Sequence, residues 1–238
     1  LIARGRLIQS GSKVGLSEVL VEDGMGRLLA HGSSRCFILP PMSPPPDTPS
    51  IQKTPPQVFE SPDPYLREIE TKPLPAEIRT AESGLDITLA HIEGRLESAP
   101  WATLFGSRPV EAAEGSATLE VDVTGWHTSG LGTMYGGAIA LFADAAMMTS
   151  VYTTLPPDTA TTTLDIKVHF LRPVMPGTKL RATSTVVHRG KTMAVCHCQL
   201  TNSEQKIVAV AQGSTLIAPG RVTDRDHPLV PADEAEVS

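Results

Sequence analysis

The sequence predicts an α+β domain in which an antiparallel sheet wraps around one long buried helix. Three observations predict it. Residues 136–153 form a long apolar run that two glycines open and Pro156-Pro157 stops, the pattern of a buried helix. Four stretches of strand-like character follow, over 161–171, 178–188, 192–200 and 206–217. The order is helix, strand, long helix, then a strand meander, which suits a sheet packed on one helix.

The elements run in this order. The first forty residues alternate in short runs, 1–9, 13–21 and 27–39, separated by the turn formers Ser10-Gly11-Ser12 and Glu22-Asp23-Gly24. This is a three-strand meander with no helix to cover its apolar face, too little to form a stable domain alone. Between Pro40 and Pro75 lie twelve of the 21 prolines, so residues 41–75 read as a semi-rigid linker. A helix over 85–96 and a strand over 115–123, with Ala117, Leu119, Val121 and Val123 on one face, lead into the long helix. The complete domain spans 76–219, and the acidic, proline-containing tail 220–238 reads as disordered.

The N-terminal meander resembles the C-terminal one. Residues 1–40 written over 180–219 without gaps pair Leu1 with Leu180, Ala3 with Ala182, Gly11 with Gly190, Ala30 with Ala209, Ile38 with Ile217 and Pro40 with Pro219. An internal repeat makes residues 1–40 the C-terminal strands of an incomplete first copy, with a whole second copy behind them. The alternative is that any two β-meanders look alike.

Composition narrows the function. A net charge of −6 argues against nucleic acid or an anionic membrane as the main partner, because both need a surplus of Lys and Arg. No apolar run approaches the ~20 residues that span a bilayer, and the N-terminus lacks the order of a signal peptide, so the expected location is cytoplasmic. The three cysteines, Cys36, Cys196 and Cys198, are an odd set; Cys196 and Cys198 share one strand face and read as packing rather than a disulfide. Cys196-His197-Cys198 lacks the second ligand cluster that structural zinc requires, and no metal or cofactor is expected.

The chemistry concentrates in residues 130–146. Gly136 and Gly137 open the long helix, leaving backbone N–H groups unpaired at the positive end of its dipole, where a carbonyl oxygen can approach. Such donors suit a thioester, whose oxygen gains negative charge when the carbon is attacked. Asp144 stands among Ile139, Leu141, Phe142, Met147 and Met148, where a carboxylate is costly unless partnered or used. On this pattern alone it can instead face solvent or cap a nearby backbone group.

Gly132-x-x-x-Gly136-Gly137, the acid eight residues after Gly136, Arg172-Pro173 after a strand and Gly190-Lys191-Thr192 at a later turn resemble the PaaI-type branch of the hotdog thioesterase superfamily. The resemblance covers about residues 85–217. It implies a hotdog fold in which two domains pair side by side, as a homodimer or higher oligomer, with each active site between them. It implies hydrolysis of acyl-CoA to free acid and CoA. Gly136 is then the oxyanion donor, Gly137 allows close approach, and Asp144 is the general base or the nucleophile. Thr163, or Thr162, matches a position whose hydroxyl helps hold the water. Lys191, Arg189, Arg172 and Gly190 are candidates for the phosphates of CoA. Tyr135 stands where the family commonly has His, and Ser129 where Asn is frequent; Tyr does not carry a proton near neutral pH, though a thiolate leaves without an acid. His127 lies nearby as a substitute or as a structural residue. A catalytically weak acyl-CoA-binding module is the second expectation. A hotdog hydratase is the third, disfavoured because no His follows Asp144 before His169.

Overall fold

The computed structural model of the chain describes residues 1–38 and 74–219. The expected tail, and the expected linker up to residue 73, lie outside the described residues. The chain divides into two units, Leu1–Pro62 and Asp63–Ser238.

The first unit is the meander expected from the sequence. Strands β1 (Ile2–Ser10), β2 (Val14–Glu22) and β3 (Leu28–Phe37) form an antiparallel sheet in that order. Leu7, Leu29 and Phe37 are all more than half exposed.

The second unit begins with three short helices, α1 (Ala76–Ala81), α2 (Gly84–Ile92) and α3 (Pro100–Phe105). Strands β4 (Ser107–Ala113) and β5 (Ser116–Asp122) follow, then the long helix α4 (Gly136–Tyr152). The chain closes with β6 (Thr159–Phe170), β7 (Lys179–Arg189), β8 (Met193–Thr201) and β9 (Ile207–Pro219). The six strands pair antiparallel in the order β4-β5-β7-β8-β9-β6. Helices α1 and α3 and strand β4 were not expected from the sequence.

One expectation is overturned. Among the described residues the sheet does not wrap around α4: β4 and β6 are its unpaired edges, and no strand closes it. The helix lies on one face, burying Ile139, Phe142, Ala143, Ala146, Met147, Ser150 and Val151. Gly137, Leu141, Asp144 and Met148, spaced at helical intervals, form a stripe left partly or wholly open. The apolar run is therefore that of a one-sided helix whose opposite stripe is also apolar, with one carboxylate in it. The α+β class itself stands.

Packing against α4 fixes the core. Ala117, Leu119, Val121 and Val123 are all buried, as their alternation predicts. Cys196 and Cys198 are buried on the core side of β8 as free thiols. Ser150 is buried on α4 and meets its hydrogen-bonding needs through Ser184 at 2.8 Å and the Met147 carbonyl at 2.8 Å. At the far end of α4, the start of α2 crosses so closely that a Cβ on Gly84 would lie 1.8 Å from the Tyr152 carbonyl oxygen. Only glycine permits that crossing.

The two meanders agree residue for residue. A shift of 179 turns the β1–β2 register into that of β7–β8, with the irregularity after Leu7 falling after Val186. The same shift carries β2–β3 onto β8–β9, again with matching irregularities. The Gly11 N–H donates to Val14 O at 3.0 Å, and the Gly190 N–H to Met193 O at 2.8 Å. Asp23 and Asn202 organise the second turn alike, each side chain accepting two backbone N–H groups. Gly26 and Gln205, at equivalent places, both have positive φ, 82° and 60°.

Candidate active site

Helix α4 begins where the glycine pair predicts. Tyr135 is its N-cap but supplies no side-chain cap, and its carbonyl accepts the first intrahelical bonds, from Ala138 and Ile139. The N–H groups of Gly136 and Gly137 therefore point out of the helix end without intrahelical partners. A Cβ on Gly136 would touch the Phe170 ring at 3.4 Å, while one on Gly137 would lie 2.8 Å from the Tyr135 ring. Gly137 remains exposed beside the exposed Tyr135 ring, and its lack of a side chain makes room for that ring.

Asp144 lies two turns further along. Its carboxylate is half-buried and accepts a hydrogen bond from Thr163 Oγ1 at 2.8 Å. Burial pushes the Asp144 carboxyl above its ordinary value, and the Thr163 bond pulls it partly back. Thr163 reaches it because β6 is irregular between Thr163 and Asp165 where it pairs with β9. Such an irregularity re-aims side chains beside it. Gly213 of β9 accommodates it: a Cβ there would lie 2.6 Å from Asp165 O.

A cavity of about 430 Å³ borders Asp144, lined by Leu141, Ala145, Met148, Tyr152, Thr161 and Trp101 among others. A carboxylate with raised proton affinity, held by a hydroxyl at the mouth of an apolar cavity, can take a proton from water or attack an electrophilic carbon.

The structure brings only part of the expected set together. Asp144 and Thr163 are in contact; Thr162 has no role in that pair. Gly136 and Asp144 share a helix face but stand about 12 Å apart along its axis. Ser129 serves a turn: its Oγ accepts from the Leu131 N–H, and its carbonyl from Gly132, whose φ is 78°. His127 is held at both ring nitrogens, Nδ1 accepting from the Thr124 N–H at 2.9 Å and Nε2 meeting Phe105 O at 2.8 Å. It is a structural residue. Arg172 donates to the Ile207 carbonyl, while Arg189 and Lys191 are exposed on either side of Gly190 in the β7–β8 turn.

The comparisons with known proteins bear on the same residues. The family model described as thioesterase superfamily matches residues 131–209, which include the glycine pair, Asp144 and Thr163. Acyl-coenzyme A thioesterase PaaI of Escherichia coli is 30% identical over 122 residues, 51% of this chain and 85% of that protein. The chain belongs to the thioesterase superfamily. Human acyl-coenzyme A thioesterase 13 is a second relative, 31% identical over 114 residues, 48% of this chain and 75% of its own length. Among solved structures, the E. coli PaaI protein from the phenylacetic acid degradation operon matches with TM-score 0.51 and 26% identity, covering 56% of this chain and 95% of its own. A Haemophilus influenzae thioesterase shares the fold at TM-score 0.51 and 18% identity, covering 66% of this chain and 97% of its own. Among the described residues no helix is long and apolar enough to cross a membrane.

The cavity wall was not expected from the sequence. Leu141, Ala145, Met148 and Tyr152 carry a helical signal in their spacing alone. Trp101 carries none, because only the fold brings it to a cavity that α4 also lines.

Proposed function

We propose that this protein hydrolyses acyl-CoA thioesters to free acid and CoA, with Asp144 as general base or nucleophile. The observation that carries the reading is the Thr163–Asp144 pair at the mouth of an apolar cavity. As base, Asp144 takes a proton from water as its oxygen attacks the thioester carbon. The carbonyl oxygen gains the electron pair and is held by the Gly136 N–H. Collapse of the adduct breaks the C–S bond, and CoA leaves as a thiolate, which needs no strong acid at a pKa of ~8.5. Tyr135 and Ser129 flank the glycine end as aids to orientation. Lys191, Arg189, Arg172 and the Gly190 backbone are the proposed contacts for the CoA phosphates, Arg172 after release from its carbonyl partner.

The ~12 Å between Gly136 and Asp144 on one helix is too far for both to touch the same thioester. A working site therefore takes the glycine from one hotdog domain and the carboxylate from another, in a homodimer or higher oligomer. The matched registers of the two meanders support a further reading: residues 1–40 are the C-terminal strands of an incomplete first copy, 41–75 a linker, 76–219 the complete domain and 220–238 a tail.

The test is Asp144→Asn, assayed by thiol release from an acyl-CoA panel while sedimentation records the oligomeric state. Loss of a general base or nucleophile lowers turnover by about 10²-fold or more, with the circular dichroism unchanged. Turnover equal to the parent's refutes the role of Asp144, and full activity in a strictly monomeric chain refutes the shared site. The exposed Tyr135 in place of a proton carrier favours a second reading, an acyl-CoA-binding module. That reading predicts stabilisation by acyl-CoA without thiol release by the parent.

A further inference from the structure

We infer that the cavity beside Asp144 measures acyl-chain length, and that Trp101 is its end wall. The inference rests on the acyl-CoA reading above and supplies the chain class that reading leaves open.

The cavity runs along one stripe of α4. Asp144, Met148 and Tyr152 follow one another at intervals of four, with Ala145 and Thr149 beside them, and all five line it. From Asp144 to Tyr152 is eight residues, about 12 Å at 1.5 Å per residue. An extended carbon chain advances roughly 1.2 Å per bond, a third of the ~3.6 Å that three backbone bonds span, so the stripe accommodates about eight to ten carbons. Its surface is apolar for most of that length. Burial pushes the Tyr152 hydroxyl above its ordinary value, so this end of the stripe carries no charge.

A second cavity of about 310 Å³ lies beyond the first. It shares Trp101, Thr149 and Tyr152 with the first and continues to Ile87, His91 and Leu119. The shared three side chains are thus the partition between two chambers. Thr149 and Tyr152 are fixed on α4. Trp101 comes from α3, a helix of six residues in which only Ala102 is buried, and Trp101 itself is 42% exposed. The indole is the bulkiest part of the partition and the part least held by the core. Chains that end before it fill the first chamber; longer chains must displace it.

The test uses the purified chain and straight-chain acyl-CoAs from about C4 to C16, with thiol release giving kcat/KM. For the parent we expect a maximum near ~C8–C10, the length of the stripe. Trp101→Ala joins the chambers and moves the maximum at least four carbons longer. Thr149→Phe narrows the partition from the helix side and moves it shorter. Affinity is read independently with S-alkyl-CoA thioethers on Asp144→Asn, which needs no turnover. Binding should tighten about fourfold per methylene, the ~0.8 kcal/mol of burying one CH₂, up to ~C10 in the tryptophan-bearing protein and beyond it once Trp101 is removed. A chain-length profile unchanged by both substitutions, with activity intact, overturns the ruler and leaves the hydrolase reading standing. No thiol release from any substrate, with length-dependent thioether binding that Trp101→Ala extends, keeps the ruler and overturns the hydrolase reading. Thioether binding independent of length overturns the ruler.

Discussion

Removing the hydroxyl of Thr163 tests the chemistry of the site while leaving its carboxylate in place. Thr163→Val keeps the shape and the strand propensity of the side chain and deletes the donor 2.8 Å from Asp144 Oδ1. A hydrogen bond to a charged group is worth about 1.5–3 kcal/mol, and Asp144 borders an open cavity where water replaces part of it, so roughly 1.4 kcal/mol is lost. The bond stabilises the ionised carboxylate against burial, which favours the proton-bound form. Without it the carboxyl holds its proton to higher pH, and the acid limb of the pH–rate profile moves toward alkaline pH. At a fixed pH on that limb kcat/KM falls about tenfold, the equivalent of that free energy. On the plateau the loss is smaller, because a more basic but less well-aimed carboxylate gains in one respect what it loses in the other. The assay is thiol release at subsaturating acyl-CoA across the stable pH range, with Thr163→Ser as the control that restores the hydroxyl. An acid limb for the valine variant that overlays the parent's, or that moves toward acid, refutes the claim that Thr163 sets the ionisation of Asp144.

The same carboxylate should burden the fold. Its pKa is raised in the folded state, so its stabilising contribution is present below the ordinary carboxylate value and lost as pH rises through the folded one. Asp144→Asn should therefore melt higher than the parent at neutral pH, with the difference vanishing in strong acid; equal melting at neutral pH contradicts the burial cost. For the first unit, cross-strand NMR contacts should give the register Leu7 with Ser17 and Gln9 with Leu16, matching Val186 with Cys196 and His188 with Val195. A regular β1–β2 pairing without that irregularity removes the main support for a duplicated meander.

Much of this fold is legible in the sequence, and the exceptions have physical causes. The four late strands and α4 were found within a few residues because alternation and capping act locally. Strand β4 was missed: it carries Pro109, sits at the sheet edge and shifts register between Pro109 and Glu111, so no clean alternation survives. Helix α3 is six residues of Pro-Trp-Ala-Thr-Leu-Phe, too short for a helical period to show. The expectation of a wrapped helix failed because apolar character was read as enclosure, whereas Leu141 and Met148 face a cavity instead of a strand. At the site, Asp144 announced itself as the one carboxylate in an apolar helix. Thr163 came from the family resemblance, since neither the irregularity that aims it nor the helix it faces is visible along the chain. Trp101 had no signal, because its place beside the cavity that α4 lines is set by tertiary packing.

The two meanders share ladder register and turn geometry although most of their side chains differ. Asp23 and Asn202 differ in charge, yet each accepts the same two backbone N–H groups through one side-chain oxygen. Gly26 and Gln205 differ in every respect but their positive φ, which the turn imposes on whatever residue stands there. The backbone pattern is thus held by turn geometry and ladder register, while the apolar face is free to vary with what covers it. In the second unit the buried face of β7, β8 and β9 includes Ala182, Ser184, Cys196, Cys198 and Ala211 beside the larger Leu180 and Leu200; a shift of 179 gives Ala3, Gly5, Ser17, Val19 and Gly32 beside Leu1 and Val21. Most members of both sets are small. Small residues on a sheet face allow a helix backbone to approach closely, and in the second unit α4 packs on that face with Asp144 bonded to Thr163. Under the proposed shared site the glycine end of α4 needs only an exposed N–H, whereas the cavity beside Asp144 is lined from within its own unit.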